Sequence, residues 1–201
     1  MIFKTFLVGF ILGVSSLAAA QGAVKSAKTS SSSLLRFFYN PEVRYENGNS
    51  QAWEARTPIN LAVALKKGRW SFLFEKSNFD ESSGSGNYEI KRTHHEMVMW
   101  VQRDLLASNI SEEVSGALYA GAGVGGYQEQ VETTFMGETT TDKSQVYPLI
   151  GVSGGAESVI YFGRKASSWA FIVGLEGRVF VGQELDPNPQ FSALARLGIQ
   201  F

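Results

Sequence analysis

The stretch FSALARLGIQF, residues 191–201, decides the fold. Its side chains fall into two alternating sets, and one set is apolar throughout. That set consists of Phe191, Ala193, Ala195, Leu197, Ile199 and Phe201, whereas the other consists of Ser192, Leu194, Arg196, Gly198 and Gln200. A period of two indicates a β-strand whose two faces meet different surroundings. We therefore expect an amphipathic strand that ends at an aromatic residue.

The same alternation occurs in seven further segments upstream. They span about residues 34–45, 58–66, 69–77, 88–102, 117–127, 146–161 and 168–181. Turn and loop residues separate them, which predicts eight antiparallel strands. Pro41 predicts an interruption of the first strand, and Gly154-Gly155 predicts a β-bulge in the sixth.

In each segment, one face is bulky and apolar, and the other is polar or small. Residues 59–66 and 70–77 show this division, and so do residues 169–178. The fourth segment is less clear, because it contains His94 and His95 next to Glu96. We expect Glu96 to share the inner face with His94 and Trp100, and His95 to face outward with Met97.

The amino terminus has the three parts of a secretory signal peptide. Lys4 supplies the charge, residues 6–17 the apolar region, and Ala18-Ala19-Ala20 the small-residue cleavage site. We expect residues 1–20 to be removed before Gln21. The Ser-rich residues 21–33 then form a flexible leader, and residues 34–201 form one domain.

Composition excludes several classes of function. The chain has 201 residues and a formal charge of −1, so it offers no broad basic surface for nucleic acid. It contains no cysteine, which excludes disulfides, thiolate metal sites, a cysteine nucleophile and a lipidated cysteine. After residues 1–20, no apolar run is long enough for a membrane helix.

The connections between segments favour a membrane barrel. Short connections at residues 66–68 and 163–166 alternate with longer ones, although the connection at residues 103–115 is of medium length and departs from this pattern. Aromatic residues lie near segment ends. Outer-membrane barrels have short periplasmic turns, longer external loops and aromatic girdles. A periplasmic β-sandwich or lipocalin-like barrel stays open as an alternative, with the apolar face turned inward.

With its signal peptide, eight segments and terminal Leu197-Gly198-Ile199-Gln200-Phe201, the chain resembles the small bacterial outer-membrane β-barrel proteins of the OmpA, OmpX and OmpW type. The resemblance covers residues 34–201. It implies an all-β fold, an eight-stranded antiparallel up-and-down transmembrane β-barrel, in the outer membrane of a Gram-negative bacterium. It also implies contact with outer-membrane lipids and recognition of the strand ending in Phe201 by the barrel-assembly machinery.

The polar face of the eight segments predicts the content of the barrel. Eight strands enclose a lumen that side chains can fill, and buried charges require partners. We expect a network of ion pairs, with Gly121, Gly123 and Gly125 leaving room for long side chains. The charged members of this face include Arg36, Glu75, Glu96, Glu176, Arg178 and Arg196. A narrow pore stays open as an alternative.

No residue pattern assigns a catalytic, cofactor or metal site. His95 with Ser77 and Glu96 is the one nucleophilic set worth testing, for a lipid-modifying barrel enzyme. The glycines of residues 121–126 lack the lysine of a phosphate-binding loop, and the loop acids lack calcium-loop spacing. We therefore expect a barrel without enzymatic activity, with a structural or surface-interaction role.

The predicted outer loops are strongly acidic. They span about residues 46–57, 78–87, 128–145 and 182–190, and together they hold ten acidic and two basic side chains. Such loops favour cationic partners or divalent ions. We expect the longest, residues 128–145, to be the principal contact site for a surface ligand.

Overall fold

A computed structural model describes residues 33–45, 53–56, 59–162, 169–183, 185 and 188–201. The predicted signal peptide, nearly all of the leader, most of the first outer loop and the turn at residues 163–166 lie outside the described residues. No helix among the described residues is long and apolar enough to cross a membrane.

Eleven strands account for nearly all of the described chain. They are β1 (Ser33–Tyr39), β2 (Glu42–Tyr45), β3 (Trp53–Arg56), β4 (Ile59–Lys67), β5 (Trp70–Ser85), β6 (Tyr88–Asn109), β7 (Val114–Phe135), β8 (Glu138–Lys143), β9 (Tyr147–Tyr161), β10 (Ala170–Gly182) and β11 (Gln190–Gln200).

Eight of the eleven strands form a closed ring. The order is β1, β4, β5, β6, β7, β9, β10 and β11, and β11 pairs with β1 again. All pairs are antiparallel, and β2 and β3 continue β1 and β4 as a short hairpin. The eight-stranded up-and-down topology predicted from the alternation is therefore confirmed.

The register fixes the tilt of the strands. A row of paired residues that starts at Leu34 passes once around the ring and returns to the first strand at Arg44, ten residues further along. A closed sheet with such a stagger has strands tilted strongly against the barrel axis. Eight strands with this stagger enclose a lumen only as wide as the side chains that fill it.

The division into two faces is as predicted. Leu61, Phe72, Met99 and other large apolar side chains point outward, where the single chain leaves them exposed. Their neighbours Asn60, Ser71 and Trp100 are buried in the lumen. An exposed belt of this size around a closed sheet indicates that lipid surrounds it. The soluble alternative, with the apolar face inward, is therefore wrong.

Irregularities occur at two places along the ring. As predicted, Pro41 ends the first ladder, and β2 begins at Glu42. The predicted bulge at Gly154-Gly155 is wrong, because both partners of β9 pair with it without interruption there. The register shift lies instead between Asp104 and Leu106 of β6.

The adjacent residues Gly154 and Gly155 differ in the space available for a side chain. A Cβ on Gly155 would lie 2.4 Å from the Leu175 carbonyl oxygen and 2.6 Å from the Tyr119 hydroxyl. A Cβ on the outward-facing Gly154 would meet nothing closer than 3.8 Å. Gly155 therefore leaves room for the Tyr119 side chain. The sequence predicted this role for Gly121, Gly123 and Gly125, and a Cβ on Gly123 would lie 2.6 Å from the Trp100 ring.

We expect Gly155→Ala to lower the free energy of unfolding by about 1–3 kcal/mol, because the added methyl group overpacks the lumen. Gly154→Ala is the matched control, and we expect it to leave stability unchanged or raise it by about 0.5 kcal/mol. Urea unfolding of the two variants in detergent micelles measures both changes. Equal effects would contradict this assignment of the two faces.

Candidate functional site

The lumen holds a network of buried ion pairs at three levels. At the level near the short turns, Lys66 Nζ lies 2.7 Å from Asp104 and 3.2 Å from Glu157, which also accepts a 2.8 Å hydrogen bond from Arg36. At the middle level, Arg178 pairs with Glu75 and Glu176. The charges therefore neutralise one another, as predicted.

The middle level also contains a tyrosine and a third arginine. Tyr119 donates a 2.8 Å hydrogen bond to Glu176, and Arg196 Nε lies 3.1 Å from the same carboxylate. The Arg196 guanidinium stacks between the rings of Phe38 and Tyr119. At the third level, farthest from the short turns, Arg44 donates hydrogen bonds to both Glu42 and Glu96.

Several of these pairs cross the full width of the lumen. Arg178 of β10 and Glu75 of β5 lie on strands that are diametrically opposed in the ring, and Arg178 Nη2 lies 2.7 Å from the carboxylate. Lys66 and Glu157 join another opposed pair, β4 and β9. The contacts support a lumen filled by protein rather than a wide channel.

We expect the purified protein to conduct ions poorly in planar bilayers. Its steady conductance should be at least about tenfold below that of a 16-stranded porin, because side chains fill an eight-stranded lumen. Single-channel recording provides the measurement. A large, steady conductance would contradict the filled lumen.

An aromatic row lies beyond the ionic network, at the mouth of the barrel opposite the short turns. The His94 ring stacks on Phe79 with 4.5 Å between centroids, and Tyr127 and Tyr147 continue the row across β7 and β9. The Arg44 guanidinium lies 4.8 Å from the centroid of Phe79. This row marks the boundary between the lumen and the part of the sheet beyond it.

Four strands continue past this mouth as one hydrogen-bonded sheet. It consists of β5 from Phe79, β6 up to His95, β7 from Gln128, and β8, and we call it the projecting sheet. β6 and β7 each have 22 residues, whereas about 9–11 suffice to cross a membrane. Eight residues separate the Glu96 level from Tyr88 at the tip, a strand length of about 27 Å.

The predicted outer loops at residues 78–87 and 128–145 are thus wrong as loops. Both are β-hairpins, with turns at Gly86-Asn87 and Met136-Gly137. Met136 and Gly137 both have positive φ, 50° and 89°, as a tight two-residue hairpin turn requires. The residues expected to form these two surface loops therefore form paired strands.

The projecting sheet carries an excess of negative charge. Seven acidic and three basic side chains lie on its strands, from Asp80 to Lys143. A hydrogen bond from Thr93, followed by one from Lys91, lowers the pKa of Asp80, so this carboxylate stays charged at neutral pH. Six of the ten acidic residues predicted for the outer loops lie on this sheet.

The structure separates the candidate nucleophilic set. Ser77 and Glu96 are paired across β5 and β6 and are buried in the lumen. His95 lies on the opposite face and its Nδ1 lies 2.8 Å from the Asn78 side-chain oxygen. The described residues hold no group of three His, Asp or Glu side chains arranged to bind a metal ion.

Sequence reasoning left several members out of the lumenal network. The charged residues named for the lumen did not include Glu42 and Arg44, nor Lys66, Asp104 and Glu157 of the level near the short turns. Lys66 alternates with the outward-facing Leu65 in the segment at residues 58–66, so this alternation was a usable signal. Glu157 follows the glycine pair, where the expected bulge would have reversed its side.

Comparison with known proteins shows the fold. No protein-family model matches the chain, and no curated protein matches it. The solved structure of Neisserial surface protein A has a TM-score of 0.52 and 11% identity, over 84% of this chain and 95% of that chain. The chain has the fold of a small outer-membrane β-barrel. This fold and the apolar belt together place it in the outer membrane.

Two further solved structures are similar at lower scores. Ail, the attachment invasion locus protein of Yersinia pestis, has a TM-score of 0.42 and 14% identity, over 84% of this chain and 97% of that chain. The translocator domain of the autotransporter NalP from Neisseria meningitidis has a TM-score of 0.29 and 9% identity, over 98% of this chain and 97% of that chain.

Proposed function

We propose that this outer-membrane barrel is a non-enzymatic surface-interaction protein, and that its projecting sheet is the contact surface. The observation that carries the proposal is the continuous four-stranded sheet beyond the lipid belt. The barrel does not need strands of this length, because about half of the 22 residues in β6 or β7 is enough to cross the lipid belt. The filled lumen supports a role outside the barrel rather than transport through it.

The charge of the projecting sheet favours cationic partners. Its described strands have four more acidic than basic side chains, and the sheet holds them in fixed positions. Fixed charges of one sign attract opposite charges within about 8 Å at physiological salt. The name of the similar Neisserial surface protein A agrees with a surface role.

We expect cells that display the protein to adhere to a surface coated with poly-lysine, and not to one coated with heparin. Replacing residues 79–94 and 129–145 each with an Asn-Gly turn should reduce the adhesion about tenfold or more. It should leave heat-modifiability intact, because the closed ring of strands and its buried ion pairs lie outside the replaced residues. Counting adherent cells at two salt concentrations measures the effect.

The triple variant Glu89→Gln, Glu132→Gln and Glu138→Gln is the matched control for charge. It keeps the projecting sheet and removes three negative charges, so we expect partial loss of adhesion. Unchanged adhesion by the shortened protein would show that the contact surface lies elsewhere, and the outward face around His95 would be examined next.

A further inference from the structure

The projecting sheet has two unlike faces. One of them continues the lumenal side of the barrel, because the register of β6 with its neighbours runs from Glu96 to Tyr88 without a shift. We call it the inner face. Within the projecting sheet, it consists of the odd-numbered residues of β5 and β7 and the even-numbered residues of β6 and β8. The alternate residues of the four strands form the outer face.

The large apolar side chains beyond the aromatic row at the mouth all lie on the inner face. Ile90 and Val131 are half-buried near its centre. Tyr88 and Phe135 pair across β6 and β7 at the tip, and they are 45% and 55% exposed. Among the described residues, the outer face has only polar or charged side chains and Gly84. The inner face is therefore the one suited to contact an apolar surface.

The charges of the inner face are predominantly acidic. Arg92 Nε lies 3.9 Å from Glu129. Glu138 and Asp142 lie on β8, at the border of the face, and Asp142 is directly opposite Val131 in the ladder. Both β8 residues are exposed, and the described part of the inner face has no further lysine or arginine to pair with them. An apolar centre bordered by carboxylates is complementary to an apolar surface bordered by basic side chains.

The dimensions of the inner face suit a short helix. Four strands about 4.8 Å apart give a width of about 14 Å, and the strand from His94 to Tyr88 gives a length of about 20 Å. A helix with its side chains is about 10–12 Å wide, and about 14 residues of it span 20 Å. The face measures about 300 Å², well below the ~800 Å² that each partner of a stable complex buries, which disfavours a folded domain as the occupant.

We propose that the inner face binds a basic amphipathic helix. This inference rests on the proposed function of the projecting sheet and names the chemistry of its partner. The apolar side of the helix packs on Ile90 and Val131, and the lysine or arginine side chains at its border pair with the carboxylates of Glu138 and Asp142. The polar outer face stays in water.

Charge distinguishes this partner from two other occupants. A second copy of the projecting sheet presents the same carboxylates, so two inner faces repel one another. The connections at residues 46–52 and 183–189 follow strands that end on the same side of the barrel, and their sequences contain no basic side chain. A basic helix supplies the charge that both of these occupants lack.

A designed peptide tests the inference on the full mature chain in phosphatidylcholine nanodiscs. The probe is a fluorescent peptide of about 14 residues with leucine on one side of the helix and lysine on the other. The control peptide has the same composition in an order that spreads leucine around the helix. Fluorescence anisotropy measures binding, and the signal from empty nanodiscs is subtracted. We expect the probe to bind at least about tenfold more tightly than the control peptide, because only the probe buries its leucines together.

Two adjacent residues of β7 provide matched variants. Val131→Lys places a cation at the centre of the inner face and should weaken binding of the probe about tenfold. Gln130→Lys adds the same charge on the outer face and should weaken binding less than about threefold. Ile90→Thr keeps the β-branched shape but removes apolar surface, and should weaken binding about fivefold. Heat-modifiability on gels verifies that each variant is folded.

Removal of two carboxylates from either face separates this inference from the proposed function. The inner pair is Glu138→Gln with Asp142→Asn, and the outer pair is Glu89→Gln with Glu132→Gln. The inner pair should weaken binding of the probe more than the outer pair does, whereas both pairs should reduce adhesion to poly-lysine to a similar extent.

Three results would overturn the inference: no binding of the probe by the wild type, equal binding of the two peptides, or equal effects of the two lysine variants. If adhesion to poly-lysine persisted in that case, the proposed function would stand and only the form of the partner would fail. If that adhesion were absent as well, the proposed function would fall with the inference.

Discussion

Replacing Arg178 with methionine is expected to lower the free energy of unfolding by about 3–5 kcal/mol, because the change leaves the buried Glu75 carboxylate without its cation and Glu176 with Arg196 alone. Arg178 contacts Glu75 on the far side of the lumen and Glu176 on its own strand, at 2.7 Å to each. Its guanidinium also lies 4.7 Å from the centroid of the Trp100 ring. Urea unfolding followed by tryptophan fluorescence measures the loss.

The control for Arg178→Met is an exposed ion pair in the same protein. Lys91 lies 3.3 Å from Asp80 on the projecting sheet, with about half of each side chain exposed. Exposed pairs contribute at most about 1 kcal/mol, so Lys91→Met should change stability little. Similar losses in the two variants would show that the lumenal network does not hold the barrel together.

Deletion of Phe201 is expected to impair assembly strongly. The Phe201 backbone exchanges hydrogen bonds of 2.9 and 3.2 Å with Leu35, and its ring packs against Phe37 and Trp169. These contacts lie at the seam where β11 meets β1 and closes the barrel. Their loss should lower the free energy of unfolding by about 3 kcal/mol, from two hydrogen bonds and a large ring.

Two controls separate the terminal ring from chain length. We expect Phe201→Tyr to fold as the wild type does, because the ring and the backbone pair remain. Deletion of residues 21–32 should also leave the yield of folded protein unchanged. The yield of heat-modifiable protein on gels compares the three variants, and equal yields would refute the role of Phe201 in closure.

The face on which each side chain lies could be predicted from the sequence, because one face of each strand meets lipid and the other meets the lumen. In β6, Glu96 and Trp100 face the lumen and Met97 and Met99 face outward, as their alternation indicates. The aromatic residues Trp70 and Trp169 also lie on the outward face, as predicted. The belt and the lumen thus follow from local sequence alone.

Pairings across the ring could not be predicted, because they depend on register. Arg36 and Glu157 are 121 residues apart, and only the stagger of the closed sheet brings them together. The same holds for Arg44 and Glu96, 52 residues apart. Sequence alternation identifies which side chains enter the lumen and leaves open which of them meet.

The projecting sheet was missed because its residues have the composition of loops. Residues 82–85 consist of serine and glycine, yet they pair with Tyr88 to Lys91 of β6. In β7 and β8, alternating Val131 and Thr133 and the three threonines of β8 are strand signals on either side of a Met-Gly turn. Pairing with a neighbour overrides weak local propensity at the edges.

Labelling of introduced cysteines on intact cells tests the central claim that an outer-membrane barrel displays the projecting sheet at the cell surface. The chain contains no cysteine, so each variant carries a single thiol. Thr140→Cys, on β8, should react with a membrane-impermeant maleimide on intact cells. Arg69→Cys, at the turn between β4 and β5, should react only after lysis. Labelling of Arg69→Cys but not Thr140→Cys on intact cells would contradict the account.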